Sequence, residues 1–509
     1  MPAVTYVPSP SWLSAGHTSW QLTAATLVGL MSLPGIAVLY GGIVKRKWAV
    51  NTMVMAFAAF AIVLVVWVLW AYDMAFGSSW LHLGGAVRNT VLGRPGPVLD
   101  HLHEEGRAVI PEAGDLAGPA LRFSGSTLVY FQFVFAAITP LLFLGSVLGR
   151  MGFRAWIVFV PLWTTFVYTV NAMLMWGGGF WMQRGALDYS GGYVIHLAAG
   201  TTGFVAAAVI GPRLKRDRES FTPNNLLLVA AGAGILWLGW NGFNGGDPYF
   251  ANADAAAAVL NTNLAAAGAL LTWLLMDTSS GSRKPSFLGT VNGMVVGLVA
   301  ITPAAGFVNG WGALAIGVIS SAVVWVSWNK AAPRWRIFER VDDALGVVHT
   351  HGVAGLCGGL LVGVFADPKM AEYWAVGPNG RLTAVSSRGW LFGSGHQLLV
   401  QAGAALTIVV WDALATVALL KLIEKVLRIP LRFYRKELES GDVAVHCEQL
   451  TPADGAPRLG EVSHLYVHRV TASEAQGHGY QRGRTEAYRG AGYQTAHDGR
   501  AARQPTRSS

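Results

Sequence analysis

Charge is what this chain of 509 residues has least of. Only 13% of its residues are Asp, Glu, Lys or Arg, about half the ~25% share of soluble globular chains. An ordinary water-soluble enzyme is therefore not expected. A disordered or fibrous chain is excluded too, because 53% of the residues are apolar. Cysteine is just as scarce. Cys357 lies inside an apolar run and Cys447 in a polar one, so the two thiols form no disulfide framework. Residues 1–20 hold no Lys or Arg, so the charged start of a secretory signal is not expected.

What is abundant is uncharged length, as in Met53–Trp70. A helix of ~20 residues crosses a ~30 Å hydrocarbon core. Eleven stretches qualify: 21–44, 51–75, 125–148, 155–176, 190–211, 225–245, 255–276, 287–304, 310–329, 344–366 and 396–426. The expected fold is an all-α polytopic membrane protein. Basic residues cluster in the loops after the odd-numbered spans, as with Lys45, Arg46 and Lys47, then Lys215, Arg216 and Arg218. The net charge of +9 is thus an orientation signal and not a nucleic-acid footprint. Those loops are cytoplasmic, and an odd span count puts the N-terminus outside and the C-terminus inside. The organisation expected is an extracytoplasmic segment 1–20, a membrane domain 21–427 with long outer loops at 76–124 and 367–395, and a cytoplasmic tail 428–447. Residues 448–509 are rich in Gly, Arg, Gln and His without periodicity and read as a disordered cytoplasmic tail.

An internal repeat runs through the spans. Asp188, Gly191, His196, Ala199, Gly200 and Gly203 have the same spacing as Asp343, Gly346, His351, Ala354, Gly355 and Gly358. Ala137-Ile138-Thr139-Pro140 in the third span matches Ala300-Ile301-Thr302-Pro303 in the eighth. Spans 1–5 therefore repeat as spans 6–10, and five being odd, the halves run in opposite directions. The eleventh span stands outside the repeat. Inverted repeats place a working site near the midplane, at the repeat interface.

Asp188 and Asp343 precede their spans and can cap the first turn, favoured by the helix dipole. The eight residues from each Asp to its His rise ~12 Å, so His196 and His351 reach mid-depth from opposite faces. A lone intramembrane His often bridges two helices. A symmetry-related pair points instead to a polar path, where each ring can meet its partner and a small polar solute. Two His with no further ligand nearby are too few for a structural zinc, so no metal and no cofactor is expected. His349 falls on another face of its helix and reads as packing.

These motifs stand among others. Pro34-Gly35-Ile36-Ala37-Val38-Leu39-Tyr40-Gly41-Gly42, Trp176-Gly177-Gly178-Gly179, Gly185-Ala186-Leu187-Asp188, Gly239-Trp240 with Gly242-Phe243-Asn244, Asp342-Asp343 and His351-Gly352-Val353 together resemble the ammonium transporter family (Amt/Mep/Rh) over about 21–447. The resemblance implies a plasma- or inner-membrane homotrimer with one pore per subunit. It also implies ammonium as substrate, methylammonium as its analogue, an outer vestibule, a phenylalanine gate and a twin-histidine conduit. By position the twin histidines are His196 and His351, the gate is Phe135 and Phe243, and the vestibule tryptophan is Trp176. Phe131 and Tyr168 fall on pore-side positions. Trp176 favours the Amt/Mep branch over Rh. With 22 Phe and 20 Trp in the chain, residue type alone would have singled out none of these rings.

Physical chemistry supports the same roles. Aromatic faces attract a cation by ~0.5–2 kcal/mol, too little to offset the several kcal/mol of burying a bare ion. Separation of proton from ammonia is therefore favoured, with the histidine pair as proton carrier. No catalytic nucleophile is placed beside the histidines, so an enzyme is not expected.

Three departures qualify the resemblance. Asp247 stands where the family usually has Ser, either as an ammonium ligand at the mouth or as a turn residue before Pro248. Asp412 lies mid-span in the eleventh helix, where a charge costs ~2.5–3.5 kcal/mol, and reads as a structural group. Cys447 replaces the Gly that usually follows His446 in the tail. In many relatives this tail contacts the pore's cytoplasmic face and a PII-type signalling protein, so such a partner is an open expectation. The competing function is an ammonium sensor with little flux.

Overall fold

The computed structural model describes residues 9–110, 120–219, 222–280, 284–370, 372–376 and 382–450. All of these fall within one compact unit, Met1–Pro452. The segment from 451 onward, most of the tail read as disordered, lies outside the described residues.

Ten helices among the described residues are long and apolar enough to cross a membrane. They are α1 (Ala15–Ile43), α2 (Arg46–Phe76), α3 (Gly125–Val147), α4 (Phe153–Met175), α5 (Gly192–Ile210), α6 (Leu226–Gly245), α7 (Ala253–Ser279), α9 (Gly310–Arg334), α10 (Val348–Phe365) and α11 (His396–Val426). Between α7 and α9 runs a shorter apolar helix, α8 (Phe287–Ile301). The chain is a predominantly helical multi-pass membrane protein. Large apolar side chains such as Leu238, Leu271, Trp311 and Leu406 are exposed on its surface, which suits a hydrocarbon surround.

Local chemistry sets the helix starts. Asn225, Asn252, Ser286 and Asn309 cap α6 to α9, each side chain accepting a first-turn backbone N–H. Burial then orders the layers. The apolar window of α3 is 94% buried and that of α11 33%, so α3 is the centre of the unit and α11 its rim.

The helix α8 ends at Ile301 and not at residue 304: Thr302 keeps helical dihedrals, but Pro303 has no N–H to continue the ladder. The carbonyls of Thr302 and Pro303 accept from Ser190 and Tyr189 at 3.1 and 3.2 Å. The broken end is thus satisfied by the segment that leads into α5. The matching Pro140 sits inside α3, which runs on to Val147. In the other half the Ala344 N–H, leading into α10, donates to the Ser146 carbonyl of α3 at 3.3 Å.

The loops after α2 and α10 carry three two-stranded antiparallel ribbons: Ser79–His82 with Thr90–Gly93, Arg107–Val109 with Ala120–Ser124, and Glu372–Val376 with Leu382–Ser386. At the opposite end the chain after α11 folds back onto the helices. Gly152 N–H donates to the Leu431 carbonyl and Phe433 N–H to that of Arg150, both at 2.9 Å. The Phe433 ring stacks on Trp48 at 5.5 Å. Asp442 accepts from the Val50 and Asn51 N–H groups at 2.8 Å each, capping α2, and His446 Nε2 meets Asn51 Oδ1 at 3.0 Å.

Candidate functional site

Helices α5 and α10 open alike. Asp188 accepts from the backbone N–H groups of Gly191, Tyr193 and Val194 at 3.1, 2.9 and 3.0 Å. Asp343 accepts from Val348 N–H at 2.7 Å and from Ser146 Oγ at 2.9 Å. Each cap is followed by a wide helical turn, Gly192–Leu197 and Val348–Val353, that carries the histidine. Five other helices or helix ends among the described residues have such a turn, so it is the repeat of cap, turn and histidine that sets these two apart.

Glycine then lets the two helices touch. A Cβ on Gly200 would collide with the backbone of Gly352, and one on Gly355 with the Gly192 carbonyl and the His196 side chain. Gly200 and Gly355 are equivalent positions of the repeat, so each half supplies the clearance for the other. The result is a contact between two buried imidazoles. His196 Nδ1 and His351 Nδ1 lie 3.2 Å apart, with ring centroids at 5.3 Å and planes within 24°. One ring must donate and the other accept.

Rings continue outward from this pair. Phe243 lies 5.9 Å from His196 and stacks on Phe135 at 4.3 Å. Phe135 meets Phe131 at 4.7 Å and the edge of Trp176 at 6.3 Å. Trp176 is held by its indole N–H on the Asp188 carbonyl at 2.7 Å. One column of rings therefore joins Trp176 to His351 through Phe135, Phe243 and His196. His196 Nε2 in the column is buried without a protein hydrogen-bond partner, as are Gln132 Oε1, in the residue next to Phe131, and Tyr168 Oη, whose ring packs on Trp67 and Trp163. Unpaired buried polar atoms occur elsewhere among the described residues too, so it is the place of His196 Nε2 on the column that suits it to a small hydrogen-bonding solute.

Several neighbours were given no site role in the sequence reading. Trp240 stacks on His196 at 5.4 Å and is fixed by its N–H on Thr302 Oγ1 at 2.9 Å. Gln132 donates to Tyr249 Oη at 2.8 Å. Ser190 Oγ lies within hydrogen-bond reach of the Phe243 carbonyl, at 2.8 Å, and of Asp247 Oδ2, and its one proton serves either acceptor. A signal for Ser190 existed: its counterpart in the second repeat is Leu345, a polar residue set against an apolar one. Asp247 is thus tied to the segment that precedes α5. Burial raises its carboxyl pKa, more than the Ser190 hydrogen bond lowers it.

The other singled-out residues lie elsewhere. Asp412 is fully buried and accepts from Asn171 Nδ2 at 2.9 and 3.1 Å, joining α11 to α4. His349 stacks on Trp328 at 5.4 Å and meets Ser327 Oγ at 3.1 Å, away from the column. Cys447 sits at φ 57°, a left-handed position that Gly adopts without cost.

Comparison with known proteins shows the family. The Ammonium Transporter Family matches residues 19–450. The chain is 48% identical over 448 residues to ammonium transporter 3 member 2 of Oryza sativa subsp. japonica, covering 86% of this chain and 90% of that protein. It is 49% identical over 453 residues to ammonium transporter 2 of Arabidopsis thaliana, covering 88% and 91%. Among solved structures, Saccharomyces cerevisiae Mep2 superposes with a TM-score of 0.69 at 28% identity, covering 84% of this chain and 89% of that one.

Proposed function

The chain belongs to the Ammonium Transporter Family, and from that premise we propose that it carries ammonium across a plasma or inner membrane through the aromatic column. In this reading Trp176, Phe135 and Asp247 recruit the cation at the outer mouth. Ammonium divides into ammonia and a proton; ammonia passes Phe243 and the histidines. The His196–His351 pair carries the proton, His196 accepting it on Nε2 and the shared Nδ1 contact passing charge to His351. On the inner face the two recombine. Eleven spans, an outer N-terminus, an inner tail and a homotrimer with one conduit per subunit belong to the same proposal.

The observation that carries it is the unbroken sequence of rings from Trp176 to two imidazoles in hydrogen-bond contact. Cation–π attraction selects a cation at the entrance, and the apolar walls beyond it make passage of the bare ion costly. The experiment is uptake of ammonium, with methylammonium as its analogue, in cells that lack their own transporters. Saturable uptake is expected. Ammonium binding by the purified protein without uptake would instead make it a sensor.

A further inference from the structure

The end of the molecule that carries the tail holds a cleft the conduit does not use. The segment after α5 and the tail line an open cleft of about 560 Å³, a volume within the ~300–1,000 Å³ of small-molecule sites. Lys215 and Arg216 line it from one segment, Arg432 and Arg435 from the other, with one carboxylate, Glu439. Phe433 completes the wall, held by its stacking on Trp48.

Positive charge at this end follows from orientation alone, so charge by itself makes no site. What distinguishes these cations is their convergence on a concavity and their partners. Elsewhere at the same end cations meet buried carboxylates. Lys47 and Lys45 reach Asp217 at 2.9 and 3.2 Å. Arg213 makes a fork on Asp342, Nε and Nη2 each at 2.8 Å. Burial alone would raise the Asp342 carboxyl, yet the Arg213 bonds and charge hold it down at about 2.

Lys215, Arg432 and Arg435 of the cleft are matched differently. Arg432 donates to the Ile210 carbonyl at 3.4 Å. Arg435 shares Glu439 at 3.1 Å, and Lys215 meets Glu219 at 3.6 Å between exposed side chains, a weak arrangement in water. Arg432 is half-buried, and burial lowers its pKa more than Asp342 raises it.

We propose that this cleft binds a multiply charged phosphate ester, gripped by Arg432 and Arg435 on the tail and by Lys215 and Arg216 on the segment after α5. Guanidinium forks match phosphate oxygens in geometry as well as charge. A ligand bridging the two segments would hold the tail against the helices. The same chemistry comes from a lipid headgroup at the membrane surface or from a soluble nucleotide.

The test uses the purified full-length protein and two probes: ATP in solution, and phosphatidylinositol phosphate in mixed micelles, with phosphatidylcholine as control. At about 0.15 M salt, at least one probe is expected to bind with Kd below about 1 mM, and more weakly as salt rises. Binding of ATP assigns a soluble ester, and binding of the phosphoinositide alone assigns a headgroup. The triple variant Lys215→Gln, Arg432→Gln, Arg435→Gln is expected to lose about tenfold or more in affinity. If that variant does not fold, Arg435→Glu, at an exposed side chain, decides by itself. Failure of both probes to bind, or equal affinity in wild type and variant, overturns the proposal.

Discussion

At position 247 a carboxyl group stands within hydrogen-bond contact of Ser190, which also reaches the Phe243 carbonyl in the ring column. Burial favours its neutral form, so an arriving cation and ionisation of Asp247 assist each other. An ammonium–carboxylate pair that is partly hydrated contributes about 1 kcal/mol net, a several-fold effect on half-saturation. Asp247→Ser and Asp247→Asn should both raise the half-saturating ammonium concentration several-fold, most at low salt. In the wild type apparent affinity should improve as pH rises and Asp247 ionises, and in both variants this part of the pH dependence should vanish. Half-saturation measured at two salt concentrations and several pH values checks it; identical curves would make Asp247 only a turn residue. At this scale legibility was uneven. The histidines stood out because an ionisable group is rare in an apolar span. The rings did not, since dozens of similar ones fill the core, and only the family motifs marked them. Ser190 and Gln132 were hidden because one hydroxyl or amide acquires meaning only from what folding brings beside it.

At the level of elements, the glycines between α5 and α10 carry more than their size suggests. Gly200→Ala forces a methyl group into the Gly352 backbone, and overpacking of this kind costs typically ~1–3 kcal/mol. A lower melting temperature is expected, with weaker transport because the imidazoles separate. A melting temperature equal to wild type would show that the crossing is slack. The tail element supplies a pH prediction. Burial pushes the Asp442 carboxyl up to about 6, further than its two backbone hydrogen bonds hold it down. Since the docked group takes up a proton more readily than the free one, docking is strongest below the ordinary carboxylate value of 3.8 and weakens as pH rises through about 6. Hydrogen exchange of the backbone around Asp442, corrected for intrinsic rate, should therefore show less protection at neutral than at mildly acidic pH, and Asp442→Asn should remove the difference. The spans were legible because uncharged length has few other uses. The fate of Thr-Pro was not: the same pair continues α3 and ends α8, and what differs is the segment that receives the freed carbonyls of Thr302 and Pro303. The loop ribbons were not legible either, their strands being short and mixed in polarity.

For the whole molecule, the repeat accounts for the architecture. Two halves of opposite direction each supply an Asp cap, a wide turn, a histidine and a glycine clearance, and these meet at one contact, His196 Nδ1 to His351 Nδ1. That a solute path lies at this meeting point is the central claim. The pair is the proton carrier in the account, so replacing either imidazole by an apolar side chain of similar bulk should leave the fold and stop the coupled movement of charge. The direct measurement is solid-supported-membrane electrophysiology of proteoliposomes pulsed with ammonium, for wild type, His196→Leu and His351→Leu. The account predicts an ammonium-evoked current in wild type that is abolished or strongly altered in both folded variants. Wild-type currents in both variants would contradict it.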